Sequence, residues 1–234
     1  MVSTAKIIYW LEKAEPYAEN PQQAEVIKKL VEFYKTGDLK TFDDYSILWV
    51  KDTESRVDFT NGFTESYGDP LGMKASWESI VNFKGISAKV ITAAILGGDL
   101  YPSTAIGINL PNSNWVRKEY GSKSVTIGNI TDAYNKAAHG NGFLNEYVID
   151  KSTLDNINKY GDACDELHTD LHECLGHGSG KLLPGVDPDS LKAYGSTIEE
   201  ARADLFGLYY VADPKLVELG LTPNLEAYKA EYYT

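Results

Sequence analysis

Apolar positions along the chain fall into three regimes. Between residues 1 and 55 they recur at helical spacing: over 6–13, and again at Ala24, Ile27, Leu30, Val31 and Tyr34, which share one face. Asn20-Pro21 opens that second helix, with Asn as cap and Pro at the first helical position, and Gly37 closes it. Phe42, Tyr45, Leu48 and Trp49 predict a third helix over 39–51. From 56 to 130 the pattern turns β-like. Val57-Asp58-Phe59-Thr60 and the stretch 75–81 predict strands, with a turn at Asp69-Pro70-Leu71-Gly72. Two more strands are predicted over 105–110 and 124–127, and a helix over 86–96, between the earlier strands and these. Helical periodicity returns over 131–234 and closes in a helix-like run at 224–233. The expectation is an α+β fold: a mainly helical region with a smaller strand-rich segment, divided as 1–55, 56–130 and 131–234.

Composition narrows the choices. A chain of 234 residues, 43% apolar, can form a sizeable core. Its net charge of −12 argues against nucleic acid as a partner, because phosphate binding needs clustered Lys and Arg. No apolar run is long enough to cross a membrane, and residues 1–6 lack the apolar core of a signal peptide. Cys164 and Cys174 stand ten residues apart on one predicted helix. That is about 15 Å along its axis, too far for a disulfide. Two unpaired thiols point to a reducing, cytoplasmic compartment. The chain starts and stops inside helical pattern, which suggests a segment of a longer protein.

The chemistry concentrates in His172-Glu173-Cys174-Leu175-Gly176-His177. Two imidazoles and a carboxylate on one short helical segment are the ligands and base of a zinc hydrolase. In the familiar motif the histidines are four apart and lie about 40° apart around the helix. Five apart, they would diverge by about 140° in an ideal helix. One wider, π-type turn is therefore needed to bring His177 round, and Gly176 makes it inexpensive. On this reading His172 and His177 bind one Zn²⁺, and Glu173 takes a proton from a metal-activated water. A carboxylate from elsewhere completes the ligand set, and Glu200 in Glu199-Glu200-Ala201-Arg202-Ala203-Asp204 is the choice. Asp204, one turn on, suits the second ring N–H of a ligand histidine.

Simpler readings exist for neighbouring residues. Ser196 or Thr197 with Glu199 or Glu200 three later forms a capping box. His168 is expected to neighbour Asp170, and His139 to end a helix. Cys174 reads as a small buried residue, and Gly178-Ser179-Gly180 as a helix exit. A helical interaction domain with solvated histidines is the alternative without a metal.

His172 to His177, the following Gly178-Ser179-Gly180-Lys181-Leu182 and the downstream Glu199–Asp204 run together resemble the dipeptidyl peptidase III family of zinc peptidases. Asn61-Gly62-Phe63-Thr64-Glu65-Ser66-Tyr67-Gly68-Asp69-Pro70-Leu71-Gly72 and Gly107-Ile108-Asn109-Leu110-Pro111-Asn112 resemble two further segments of that family. The resemblance spans roughly 55–210. It implies a two-lobed exopeptidase releasing dipeptides from the N-termini of short peptides. It assigns His172, His177 and Glu200 to zinc, Glu173 as general base, and Glu199 and Asp204 as acids behind the ligands. Glu65, Asn109 and Asn112 would bind the peptide's ammonium end, and Tyr67 the scissile carbonyl. Asp204 in place of the more frequent Glu, and Ala201 in place of Cys, depart from the family pattern. Family members are about three times longer, and no counterpart of a later catalytic histidine follows Glu200. A zinc-binding segment inactive by itself, lacking the rest of the cleft, is therefore a further expectation.

Overall fold

A computed structural model describes residues 3–65, 75–84, 87–96 and 106–233. The chain divides into two compact units, one of residues 1–58 and 110–123, the other of 59–109 and 124–234.

The first unit is built on α1 (Ser3–Ala14), α2 (Pro21–Thr36) and α3 (Leu39–Lys51). The Asn20 side chain accepts the Gln23 amide, and Gly37 ends α2 at φ 69°, a left-handed conformation that glycine adopts without strain. Asp38 caps α3 by accepting from Lys40 and Thr41. Val26, Ile27, Leu30 and Val31 of α2 are buried, as are Tyr45, Trp49 and Val50 of α3. Beside them the Trp49 indole donates to Asp58 at 2.8 Å, and Lys123 pairs with the same carboxylate at 2.9 Å. The Lys123 ammonium also lies 4.4 Å over the Trp49 ring.

The second unit carries most of the strand structure. β1 (Val57–Glu65), which starts in the first unit, and β2 (Ala75–Phe83) and β3 (Ser87–Leu96) form a sheet in that order. β2 and β3 run antiparallel, from Ala75 opposite Leu96 to Phe83 opposite Ser87, with an irregularity at Trp77/Glu78. Residues 87–96 are thus strand, not the helix expected over 86–96. The β-branched Val90, Ile91, Thr92 and Ile95 suit a pleated surface, and pairing with β2 overrides a short apolar run that periodicity alone leaves ambiguous. β4 (Gly107–Leu110) and β5 (Lys123–Thr126) form a two-stranded ribbon, and α4 (Asn114–Tyr120) in the first unit lies between them in sequence.

After β5 the second unit is helical: α5 (Gly128–Ala138), α6 (Phe143–Tyr147), α7 (Lys151–Leu171), α8 (Gly195–Val211), α9 (Pro214–Glu218) and α10 (Lys229–Tyr232). Leu167 and Leu171 of α7, Val211 of α8 and Leu216 of α9 make a core on which Tyr210 and Tyr228 pack. The run expected to be helical over 224–233 is helical only at its end. Asn224 Oδ1 accepts the Glu226 amide at 2.9 Å, a local turn that competes with helix. The capping box does not form either. α8 already begins at Gly195, and its N-cap, Tyr194, makes no side-chain cap bond. Among the described residues, no helix is long and apolar enough to cross a membrane.

The caps give the fold an acid limit. Thr41 and the Lys40 amide hold the Asp38 carboxyl below its ordinary range, and the Thr153 amide does the same for Asp150 at the start of α7. A carboxyl whose affinity for protons drops on folding stabilises above its unfolded pKa of ~4 and loses that contribution as pH falls through the folded value. Asp38→Asn keeps an acceptor that cannot titrate. Its urea midpoint should fall less steeply than the parent's between about pH 5 and pH 2.

Candidate metal centre

α7 does not stop at Leu171 but widens into a single π turn, His172–His177. The His172 amide still reaches back to His168 and Thr169, whereas the Gly178 amide reaches five residues back to the Glu173 carbonyl. The imidazoles, five apart, thus come round to one side, their Nε2 atoms 3.0 Å apart. Gly176 permits this because the turn presses on α8. A Cβ at 176 would lie 2.7 Å from Ala203 Cα and 2.9 Å from its carbonyl oxygen.

Glu200 reaches the same point from α8. Its Oε2 lies 3.4 Å from His172 Nε2 and 3.6 Å from His177 Nε2. The other ring nitrogens are held from behind. His172 Nδ1 bonds Asp204 at 2.8 Å, and His177 Nδ1 bonds Glu199 at 3.0 Å. Each Nδ1 therefore donates to a carboxylate, which aims each Nε2 at the shared point. Arg202 fixes Glu199 with two bonds, at 2.6 and 2.8 Å, and donates to the Gly176 carbonyl at 2.8 Å.

A tetrahedral ion with ligands at ~2.0–2.1 Å sets their atoms roughly 3.3–3.4 Å apart. The three separations here bracket that value, and His172, His177 and Glu200 can together hold a metal ion. The acids around the rings favour their protonated forms. Bonds to Glu199 and Glu200 push His177 up to about 9, and His172 is raised in the same way, chiefly by Glu200. Bonds from the two imidazoles bring Glu200 down to about 2. A divalent cation competes with those protons for the same lone pairs.

Glu173 sits differently. It is 7% exposed, and among the described residues its Oε2 has no hydrogen-bond partner. Burial raises its carboxyl above the usual range, although His177 and His172 pull the other way. The side chain lies flat against β4: a Cβ at Gly107 would be 2.6 Å from Glu173 Oε1. The Glu173 carbonyl accepts from Ser124 Oγ at 3.2 Å, and Ser124 in turn accepts from Asn109 Nδ2 at 2.7 Å. The ribbon β4–β5 thus backs the carboxylate.

The structure gathers His172, Glu173, His177, Glu199, Glu200 and Asp204, and connects Asn109 to them through Ser124. Asn112 is exposed in the first unit. Glu65 ends β1, and Tyr67 lies outside the described residues, as does the turn at 69–72. Cys174 is exposed rather than buried, and Cys164 is buried, its thiol donating to the Ala227 carbonyl at 3.3 Å. His168 bonds Glu231, not Asp170, because the C-terminal turn docks beside it. His139 caps the end of α5 as expected. Sequence reasoning missed Gly107 and Ser124. A glycine inside a strand pattern is a signal of close approach and marks Gly107. Ser124, 49 residues from Glu173, has no local signal.

With this geometry established, comparison with known proteins is direct. Residues 2–93 and 101–192 match peptidase family M49, and the chain belongs to that family. It is 28% identical to Dipeptidyl peptidase 3 of Dictyostelium discoideum, over 97% of this chain and 41% of that protein. The human Dipeptidyl peptidase 3 is also 28% identical, over 92% of this chain and 37% of that one. The structure of DPP III from Caldithrix abyssi shares the fold, with a TM-score of 0.66 at 22% identity, over 96% of this chain and 49% of that one. The chain thus spans about two fifths of the curated relatives it matches.

Gly176→Ala tests the crossing that builds the centre. With no room against the Ala203 backbone, the substitution should destabilise the chain by about 1–3 kcal/mol. Urea unfolding with and without added zinc should also show a smaller stabilisation by the ion than in the parent.

Proposed function

We propose that this chain carries the catalytic centre of a zinc-dependent dipeptidyl peptidase, with His172, His177 and Glu200 holding one Zn²⁺. The observation that carries the reading is the convergence of two Nε2 atoms and one Oε2 on a single point, each imidazole locked from behind by its own carboxylate. Zinc at such a point polarises a carbonyl and lowers the pKa of a water.

The chain's own residues do the rest. Glu173 takes the proton of the attacking water at Oε2, which has no partner among the described residues, and delivers it to the leaving amine. Burial suits it to this, since a raised carboxyl pKa brings the base nearer the operating pH. Gly107 leaves room for the carboxylate on the ribbon side, and the Ser124 hydroxyl holds the Glu173 backbone carbonyl. Family resemblance adds Glu65, Asn109 and Asn112 as holders of the substrate's free ammonium, and Tyr67 as donor to the carbonyl. A carboxylate and amide oxygens suit an ammonium, and a phenol suits a developing oxyanion. Fixing the ammonium a set distance from the metal restricts cleavage to dipeptides from short peptides. The free thiols Cys164 and Cys174 fit a reducing, cytoplasmic setting.

A second reading is a zinc-binding segment with little turnover of its own. The span of only 41% of the Dictyostelium relative favours it.

Metal analysis and hydrolysis of dipeptidyl arylamides separate these possibilities. The parent should hold one zinc and lose all hydrolysis on chelation. Ala replacement of His172 or His177 should abolish bound zinc. Glu173→Gln should keep the zinc while hydrolysis drops at least about 100-fold. Bound zinc without hydrolysis in the parent selects the second reading. Equal cleavage of N-acetylated and free peptides overturns dipeptide release.

A further inference from the structure

His168 stands one helical turn before His172 on α7, and no step above uses it. Its ring fills a notch on α8 left by Gly207: a Cβ there would lie 2.2 Å from His168 Cδ2 and 2.6 Å from Nε2. On one side Nδ1 bonds Glu231 of α10 at 2.6 Å, and the two side chains are only 18% and 13% exposed. On the other side Nε2 is buried, without a hydrogen-bond partner among the described residues, 3.8 Å from Asp204 Oδ1. That same oxygen is the one 2.8 Å from His172 Nδ1. One carboxylate oxygen thus faces two imidazoles, and only one of them belongs to the ligand set.

We propose that His168 is a positioning residue: an imidazolium, fixed by Glu231 and the Gly207 notch, that holds the Asp204 carboxylate against His172 Nδ1 and so couples the C-terminal helix to the metal ligand. Asp204 needs a second contact. Its side chain is 57% exposed, so one hydrogen bond leaves it able to swing into solvent. The charge on His168 follows from the geometry. With Nδ1 donating to Glu231, an unprotonated Nε2 would turn a lone pair on a carboxylate oxygen. Protonated, it presents a cation to Asp204 and a donor to Glu231. Glu231 raises His168's affinity for the proton against the effect of burial, with Asp204 adding to it and His172 opposing. Asp165, on the same helix, also feels the charge.

The inference rests on the metal-centre reading above, and its test keeps the two apart. Zinc dissociation constants would be measured on the full chain by chelator competition, for the parent, His168→Gln, Glu231→Gln and the double variant. In the zinc-loaded proteins the His172 ring nitrogens would be followed by ¹⁵N NMR of labelled histidine. Each single variant should weaken zinc by about tenfold, the scale of an outer partner of a metal ligand. The double should lose no more than either single, and the His172 Nδ1 resonance should move although His168 does not touch the ion. Unchanged zinc affinity, additive losses, or an unmoved His172 resonance would each overturn the proposal. Should His168→Gln fail to fold, Glu231→Gln tests the same contact from the other side. A parent chain that binds no zinc sinks the metal centre itself; a parent that binds it, with both variants indistinguishable from it, sinks only the His168 role.

Discussion

Three lone pairs pointed at one another repel unless something positive lies among them. His172, His177 and Glu200 are held in that arrangement by everything around them. The π turn brings the imidazoles to one side, α8 brings the carboxylate, and acids behind the rings prevent them from turning away. The crossing of α7 and α8 makes this possible, and it depends on small residues. Gly176 meets Ala203, and Gly207 admits His168. Larger side chains at either point would separate the helices and scatter the donors.

The network is asymmetric in a useful way. Glu199 is clamped by Arg202, which also ties down the Gly176 carbonyl, so the His177 side is rigid. The His172 side relies on Asp204, a more exposed group. The two rings are thus supported by different means, one by a guanidinium within α8 and the π turn, the other by contacts that reach to α10. Glu173 belongs to neither arm. It is held by backbone and space, through the ribbon that carries Gly107 and Ser124, and its Oε2 has no hydrogen-bond partner among the described residues.

Much of this could be read from the amino-acid order, wherever the cause is local. Asn20-Pro21 and Gly37 set the ends of α2 because caps act within one turn. The five-residue histidine spacing called for a widened turn because helix geometry allows no other way to gather the rings. One-turn spacing put Asp204 on the face of Glu200, whereas Glu199 entered only through the family resemblance. The misreadings share a different cause. The stretch 87–96 is a strand because β2 lies beside it, which no window of its own residues can reveal. Ser196 and Thr197 fail to cap because α8 starts before them. His168 pairs with Glu231, 63 residues away, rather than with its near neighbour, because the C-terminal turn folds back over α7. Side chains whose partners are distant in sequence carry no local signature.

The notch at Gly107 has one more implication. A buried carboxyl is costly to ionise, and its charge is tolerated only where neighbours compensate. Here the two imidazoles, His177 and His172, supply that compensation by drawing the Glu173 carboxyl back toward its ionised form. Cation binding between those rings and unfolding of the chain would therefore be linked equilibria, because the helices that supply the donors also form the scaffold.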